Sequence, residues 1–134
     1  MGFLNSLFGN KEVGPYKTKE QQQTTRKKQL DWTPQTLEVL RRHGVNDHSF
    51  LRLEFFFYTN TKQKAVGLSD QLASLGYSST VETSASNSKE FLVNGWTTPI
   101  KMDEASACEW TASMCDLAAD HDCKFDGWGT NPSQ

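Results

Sequence analysis

The sequence predicts an α+β fold: a sandwich of βαββαβ order, with two helices on one face of a four-stranded antiparallel sheet and an extra short helix in front. Three observations carry this. Apolar residues recur at every second position from Ser49 to Thr59, then at helical spacing from Ala65 to Leu75, and the two periods return in the second half of the chain. The 134 residues suffice for one domain with a real core, and 36% apolar against 22% charged residues excludes membrane-spanning, collagen-like and disulfide-scaffold classes.

The elements follow in order. Met1 to Gly9 is apolar but too short to cross a membrane, and it lacks the charged start and long apolar run of a secretory signal. Phe3, Leu4, Leu7 and Phe8 share one face of a short helix suited to a membrane surface or a partner, and Met1-Gly2 with Ser6 fits the loose myristoylation pattern. Asn10 to Gln29 is polar and aperiodic. Residues 1–30 are therefore expected to be a flexible basic leader and residues 31–134 the folded domain.

Thr33-Pro34 is a good helix start and His43-Gly44 a good stop, with Leu37 and Leu40 on one side. Leu51, Leu53, Phe55 and Phe57 then alternate with Arg52, Glu54, Phe56 and Tyr58 in a half-buried strand. Ala65, Leu68, Leu72 and Leu75 form the stripe of an amphipathic helix closed by Gly76. Tyr77 to Thr83 reads as a strand, and the run through Phe91, Leu92 and Val93 as the next. Asn94-Gly95 reads equally as a hairpin turn or as a bulge. Asp103 to His121 is the longest predicted helix, its wet side carrying Glu109, Asp116 and Asp120. Lys124 to Gly129 is a short last strand. This is the ferredoxin-like order, and right-handed crossovers leave little other choice.

Charge is uneven. Eight basic residues against four acidic give residues 1–42 a net +4, whereas six against twelve give the remainder −6. The whole-chain value of −2 conceals that change of sign.

The candidate chemistries are few. Cys108 and Cys115 lie seven residues apart on one helix, about 10 Å along its axis, too far for one zinc. His121 and Cys123 lack a C-x-x-C pair to complete a ligand set, so no metal or cofactor is expected and the cysteines read as small apolar fillers in a reducing cytosol. Asp47 and His48, as strand neighbours, point to opposite faces. No serine-nucleophile elbow, phosphate loop or zinc-protease motif is present, so no catalytic residues are expected and the protein is not read as an enzyme.

Nucleic-acid binding is the alternative. The RNA recognition motif uses a similar sheet, and here Phe56, Tyr58 and Arg52 offer a candidate stacking face with the leader's lysines as phosphate contacts. The acidic balance of the domain works against it. An aromatic face ringed by carboxylates better suits a basic protein partner.

The C-terminal run Phe125-Asp126-Gly127-Trp128-Gly129-Thr130 resembles the ending of the RraB family, protein regulators of ribonuclease E activity. The Ser49 to Tyr58 strand, the Leu75-Gly76-Tyr77 turn, and the stretch from Thr98-Pro99 to Asp122 are similar to that family as well, over about residues 47–130. The resemblance implies a ferredoxin-like, cytoplasmic, non-catalytic regulator. It further implies binding to the arginine-rich scaffold part of ribonuclease E, with inhibition of RNA cleavage. On this reading the partner-binding residues are Glu109, Asp116 and Asp120, for steering and rim contacts, with Asp126 and Trp128 at the sheet end.

Overall fold

A computed structural model of the chain describes residues 14–134. The expected apolar face of Phe3 to Phe8 and the Met1-Gly2 acylation pattern lie outside the described residues. Among these residues, three helices pack with a four-stranded antiparallel sheet of order β3-β4-β2-β6. In chain order the elements are α1 (Lys19–Arg41), β1 (Phe50–Leu51), β2 (Glu54–Thr59), α2 (Lys62–Ser74), β3 (Ser78–Thr83), β4 (Phe91–Trp96), β5 (Ile100–Lys101), α3 (Glu104–Asp120) and β6 (Lys124–Gly129).

The expected flexible stretch through Gln29 is in fact helical from Lys19, and the division of the chain at residue 30 falls inside α1. Thr18 caps it: the hydroxyl accepts from Gln21 N at 3.1 Å, and the Gln21 side chain accepts from Thr18 N at 2.8 Å. The helix is 23 residues long, not short, and it runs through Pro34 rather than starting there. Its buried residues Gln29, Thr33, Leu37 and Leu40 recur at near-helical spacing. Half of that stripe is polar, which hid it from a reading based on apolar period.

The strand read as continuous from Ser49 to Thr59 is broken at Arg52 and Leu53. Its first part, β1, pairs with β5 as a separate small ribbon. In β2 burial alternates strictly, with Phe55, Phe57 and Thr59 facing the helices. Gly95 is neither a hairpin turn nor a bulge: it sits inside β4, opposite Phe55 on one side and Ser79 on the other. A Cβ there would lie 1.8 Å from the Ser78 carbonyl oxygen, so only glycine lets the two backbones come together. In α2 the inner stripe is Ala65, Leu68 and Leu72, while Leu75 falls past the helix end and is exposed.

The core is centred on Phe55, Phe57 and Phe125, all fully buried with Leu53, Leu68, Leu72, Val93, Met102 and Met114. The Phe57 and Phe125 rings pack tilted at 45° with centroids 5.1 Å apart, and Trp110 and Phe125 meet edge-on at 6.0 Å. Burial of such a ring contributes roughly 1.5–3 kcal/mol before the cost of ordering it. One register shift interrupts the β2–β6 pairing between Phe56 and Phe57, where Asp126 has no partner residue. That bulge tips Gly127 to φ +121.

Candidate functional site

The sheet has two unlike faces. Cross-strand register sets the outer one as rows: Ser78, Trp96 and Glu54, then Thr80, Asn94 and Phe56, then Glu82, Leu92, Tyr58 and Lys124. Trp96 is exposed, and Phe56, Tyr58 and Leu92 are half-buried. Asn94 donates to Glu54 at 3.1 Å and holds that carboxylate against the face.

Phe56 and Tyr58 therefore occupy the outer face, as the strand period implied. Arg52 is separate from them: it lies with Trp96 and Gln134 beside a shallow depression at one end, its guanidinium Nε donating to Thr97 O at 3.3 Å.

The predicted acidic stripe is present on α3, with Glu109, Asp116 and Asp120 all exposed. Asp116, however, forms an ion pair with Arg26 of α1. Positive charge expected on a free leader is thus partly spent within the molecule. Asp126 projects from the bulge, exposed, with Lys124 Nζ at 3.4 Å.

Trp128 does not stand on the outer face. It points inward, edge-on to Trp110 at 6.0 Å, and its indole N–H donates to the Thr33 hydroxyl at 3.2 Å. The rest of the C-terminal motif divides similarly. Phe125 is core, Thr130 donates to Arg52 O at 2.7 Å, and Gly127 and Gly129 line a cleft between α1 and the sheet with Trp32, Phe56, Glu54 and Asp126. Trp32 was missed in the sequence because the helix was expected to start only at Thr33-Pro34, just after it. The signal that would have found it is Thr18-Lys19-Glu20-Gln21, a capping box that starts the helix fourteen residues before Trp32.

At the other end of the sheet, Tyr16 N and Lys17 N donate to the Asp122 carboxylate at 2.7 and 3.2 Å, Lys64 Nζ reaches it at 2.6 Å, and the Tyr16 hydroxyl donates to Glu90 at 2.5 Å. Burial and the Glu90 carboxylate push the Tyr16 phenol well above its ordinary range. Cys115 and Cys123 are buried, and desolvation pushes both thiols up to about 11. Among the described residues no three His, Cys, Asp or Glu side chains converge as a metal set.

An α+β domain with one helix-covered sheet face, and an aromatic outer face set among carboxylates, is a domain whose distinctive feature is a surface. The chain belongs to the RraB family: the family model described as Regulator of ribonuclease activity B matches residues 30–130. The role that description gives the family is regulation of a ribonuclease activity. No curated protein matches the chain at a significant level.

Proposed function

We propose that this protein is a non-catalytic, cytoplasmic regulator that docks a ferredoxin-like domain onto a basic segment of a ribonuclease, the scaffold region of ribonuclease E being the first partner to test. The strand order β3-β4-β2-β6, with one helix crossing in each half, supports the ferredoxin-like reading. The observation that carries the binding reading is the outer sheet face: Phe56, Tyr58, Leu92 and Trp96 set among Glu54, Glu82 and Asp126. Aromatic side chains supply contact area at low entropic cost, and the carboxylates select positively charged partners. Glu109 and Asp120 on α3 extend the negative field.

RNA binding through Phe56, Tyr58 and Arg52 is the second reading. It is weakened by the same carboxylates, which repel phosphate, and by the position of Arg52 at the far end beside Trp96. The experiment is retention of a purified ribonuclease E scaffold segment by the tagged full chain, with and without nuclease. Retention that survives nuclease supports a direct protein partner, and it should fall sharply in Phe56→Ala with Trp96→Ala. Retention only while RNA is intact favours the RNA reading; no retention in either condition overturns the partnership.

A further inference from the structure

The cleft between α1 and the outer face of β6 is assembled by the Asp126-Gly127-Trp128-Gly129 motif from one side and by Gln29 and Trp32 from the other, with Glu54 and Phe56 at its base. Trp32 is 49% exposed although it belongs to a helix packed on the domain. Its indole has Lys28 Nζ at 5.8 Å from the ring centroid, so the ring already draws a cation. Two carboxylates reach the same space. Glu54 has only Asn94 as its side-chain donor and Asp126 only the half-exposed Lys124 among the described residues.

Gln29 adds a third acceptor. It is 4% exposed, and its amide oxygen lies 3.7 Å from where a Cβ on Gly127 would stand. The hydrogen bond from the Thr33 hydroxyl goes to the Gln29 backbone carbonyl. Its side-chain amide lines the cleft beside Gly127.

We infer that this cleft receives an arginine side chain from the basic segment of the partner protein. The proposal deepens the protein-binding reading and rests on it. A guanidinium is planar, so it stacks on the Trp32 or Phe56 ring, and it presents five donors in its plane to Glu54, Asp126 and the Gln29 carbonyl. Lysine offers a compact charge without the stacking plane. Anionic ligands are repelled by both carboxylates. Gly127, held at φ +121 with no side chain, leaves the floor open.

The test follows the four tryptophan indole N–H signals of the ¹⁵N-labelled full chain during titration with a blocked Gly-Arg-Gly peptide. The lysine and citrulline peptides serve as controls. The Trp32 and Trp128 signals should move and saturate, with citrulline binding about ten-fold or more weaker because the charge is gone. Glu54→Gln with Asp126→Asn should weaken the arginine peptide by a similar factor, and Trp32→Ala by roughly five-fold. Trp32 is half exposed, so its variant keeps the fold even if the double variant does not. Equal binding of citrulline or lysine, or movement confined to Trp96, would overturn the proposal.

The two readings fail separately. Arginine binding at Trp32 without capture of the ribonuclease segment upholds the cleft and overturns that partner. Capture unaffected by the Trp32 and carboxylate variants overturns the cleft and leaves the partner standing.

Discussion

The indole N–H of Trp128 donates to the hydroxyl of Thr33 at 3.2 Å, joining the last strand to the first described helix across the sheet edge. The same hydroxyl is 2.8 Å from Thr111 Oγ1 on α3 and donates to Gln29 O at 3.0 Å. Thr33 and Thr111 are both fully buried. Replacing Thr33 with valine keeps the volume and removes the hub, leaving Trp128 Nε1 without an acceptor. The expected loss is about 1–3 kcal/mol, read as a lower denaturant midpoint at unchanged slope. Thr33→Ser should retain most of the stability. Equal stability of the valine variant would show the hub to be dispensable.

Gly95 makes a sharper prediction. An added Cβ would meet the Ser78 carbonyl at 1.8 Å and the Ser79 Cα at 2.7 Å, both backbone atoms that cannot rotate away. Gly95→Ala must therefore pry β3 from β4, at a cost of about 3 kcal/mol. Thermal unfolding compares it with Thr80→Ala on the exposed side of β3, which should be nearly neutral. A Gly95→Ala melt matching wild type would contradict the packing described.

Asp122 predicts a pH dependence. Burial favours its neutral form, but hydrogen bonds from Lys64 and from the Tyr16 and Lys17 amides prevail and hold the carboxyl below its usual 3.8. A carboxylate depressed in the folded state adds stability that is complete above about pH 4 and drains away as pH falls through the lower folded value. Asp122→Asn should thus cost about 1 kcal/mol near neutrality and progressively less in acid, measured by urea unfolding from about pH 7 to about pH 3. Asparagine tolerates the residue's φ of 52, whereas Asp122→Ala adds a backbone penalty of about 1 kcal/mol. A gap between wild type and Asp122→Asn that stays constant with pH would contradict the assignment.

On α3, Glu109, Asp116 and Asp120 are all exposed, but Asp116 is the one paired with Arg26, so it is not equivalent to the other two. Glu109→Lys with Asp120→Lys should slow association with a basic partner several-fold at low salt and leave dissociation nearly unchanged. Asp116→Lys also breaks the pair with Arg26. Because both side chains are substantially exposed, at 41% and 66%, the stability lost should stay below about 1 kcal/mol. Binding kinetics at two salt concentrations separate these effects, and a change confined to dissociation would place the stripe inside the contact.

The strands and two of the helices were legible because their burial is written in apolar period: Phe55 and Phe57 at two, Ala65, Leu68 and Leu72 at three and four. What failed was α1. Its inward residues Gln29 and Thr33 are polar, and they are buried because Gly127, Thr111 and Trp128 receive them from positions some eighty to a hundred residues away. Pro34 then reinforced a false start, since local propensity favours it at a helix opening and only tertiary packing carries a helix through it. The acidic stripe was placed correctly on α3, but the pairing of its Asp116 with Arg26 depends on that unseen helix. Trp128 was recognised by its motif. Its inward orientation depends on the bulge at Asp126, which the strand period alone does not announce.

The central position of β2 has a consequence for how the protein is born. β2 (Glu54–Thr59) leaves the ribosome well before one of its two neighbours, β6 (Lys124–Gly129). Tyr16, Gln22 and Thr33 likewise wait for Asp122, Cys123 and Trp128. No half of the chain can complete the sheet on its own. The domain closes only when its final strand has been synthesised, so a message truncated shortly before that point yields a product with an exposed phenylalanine-rich strand, a natural substrate for chaperones and proteases.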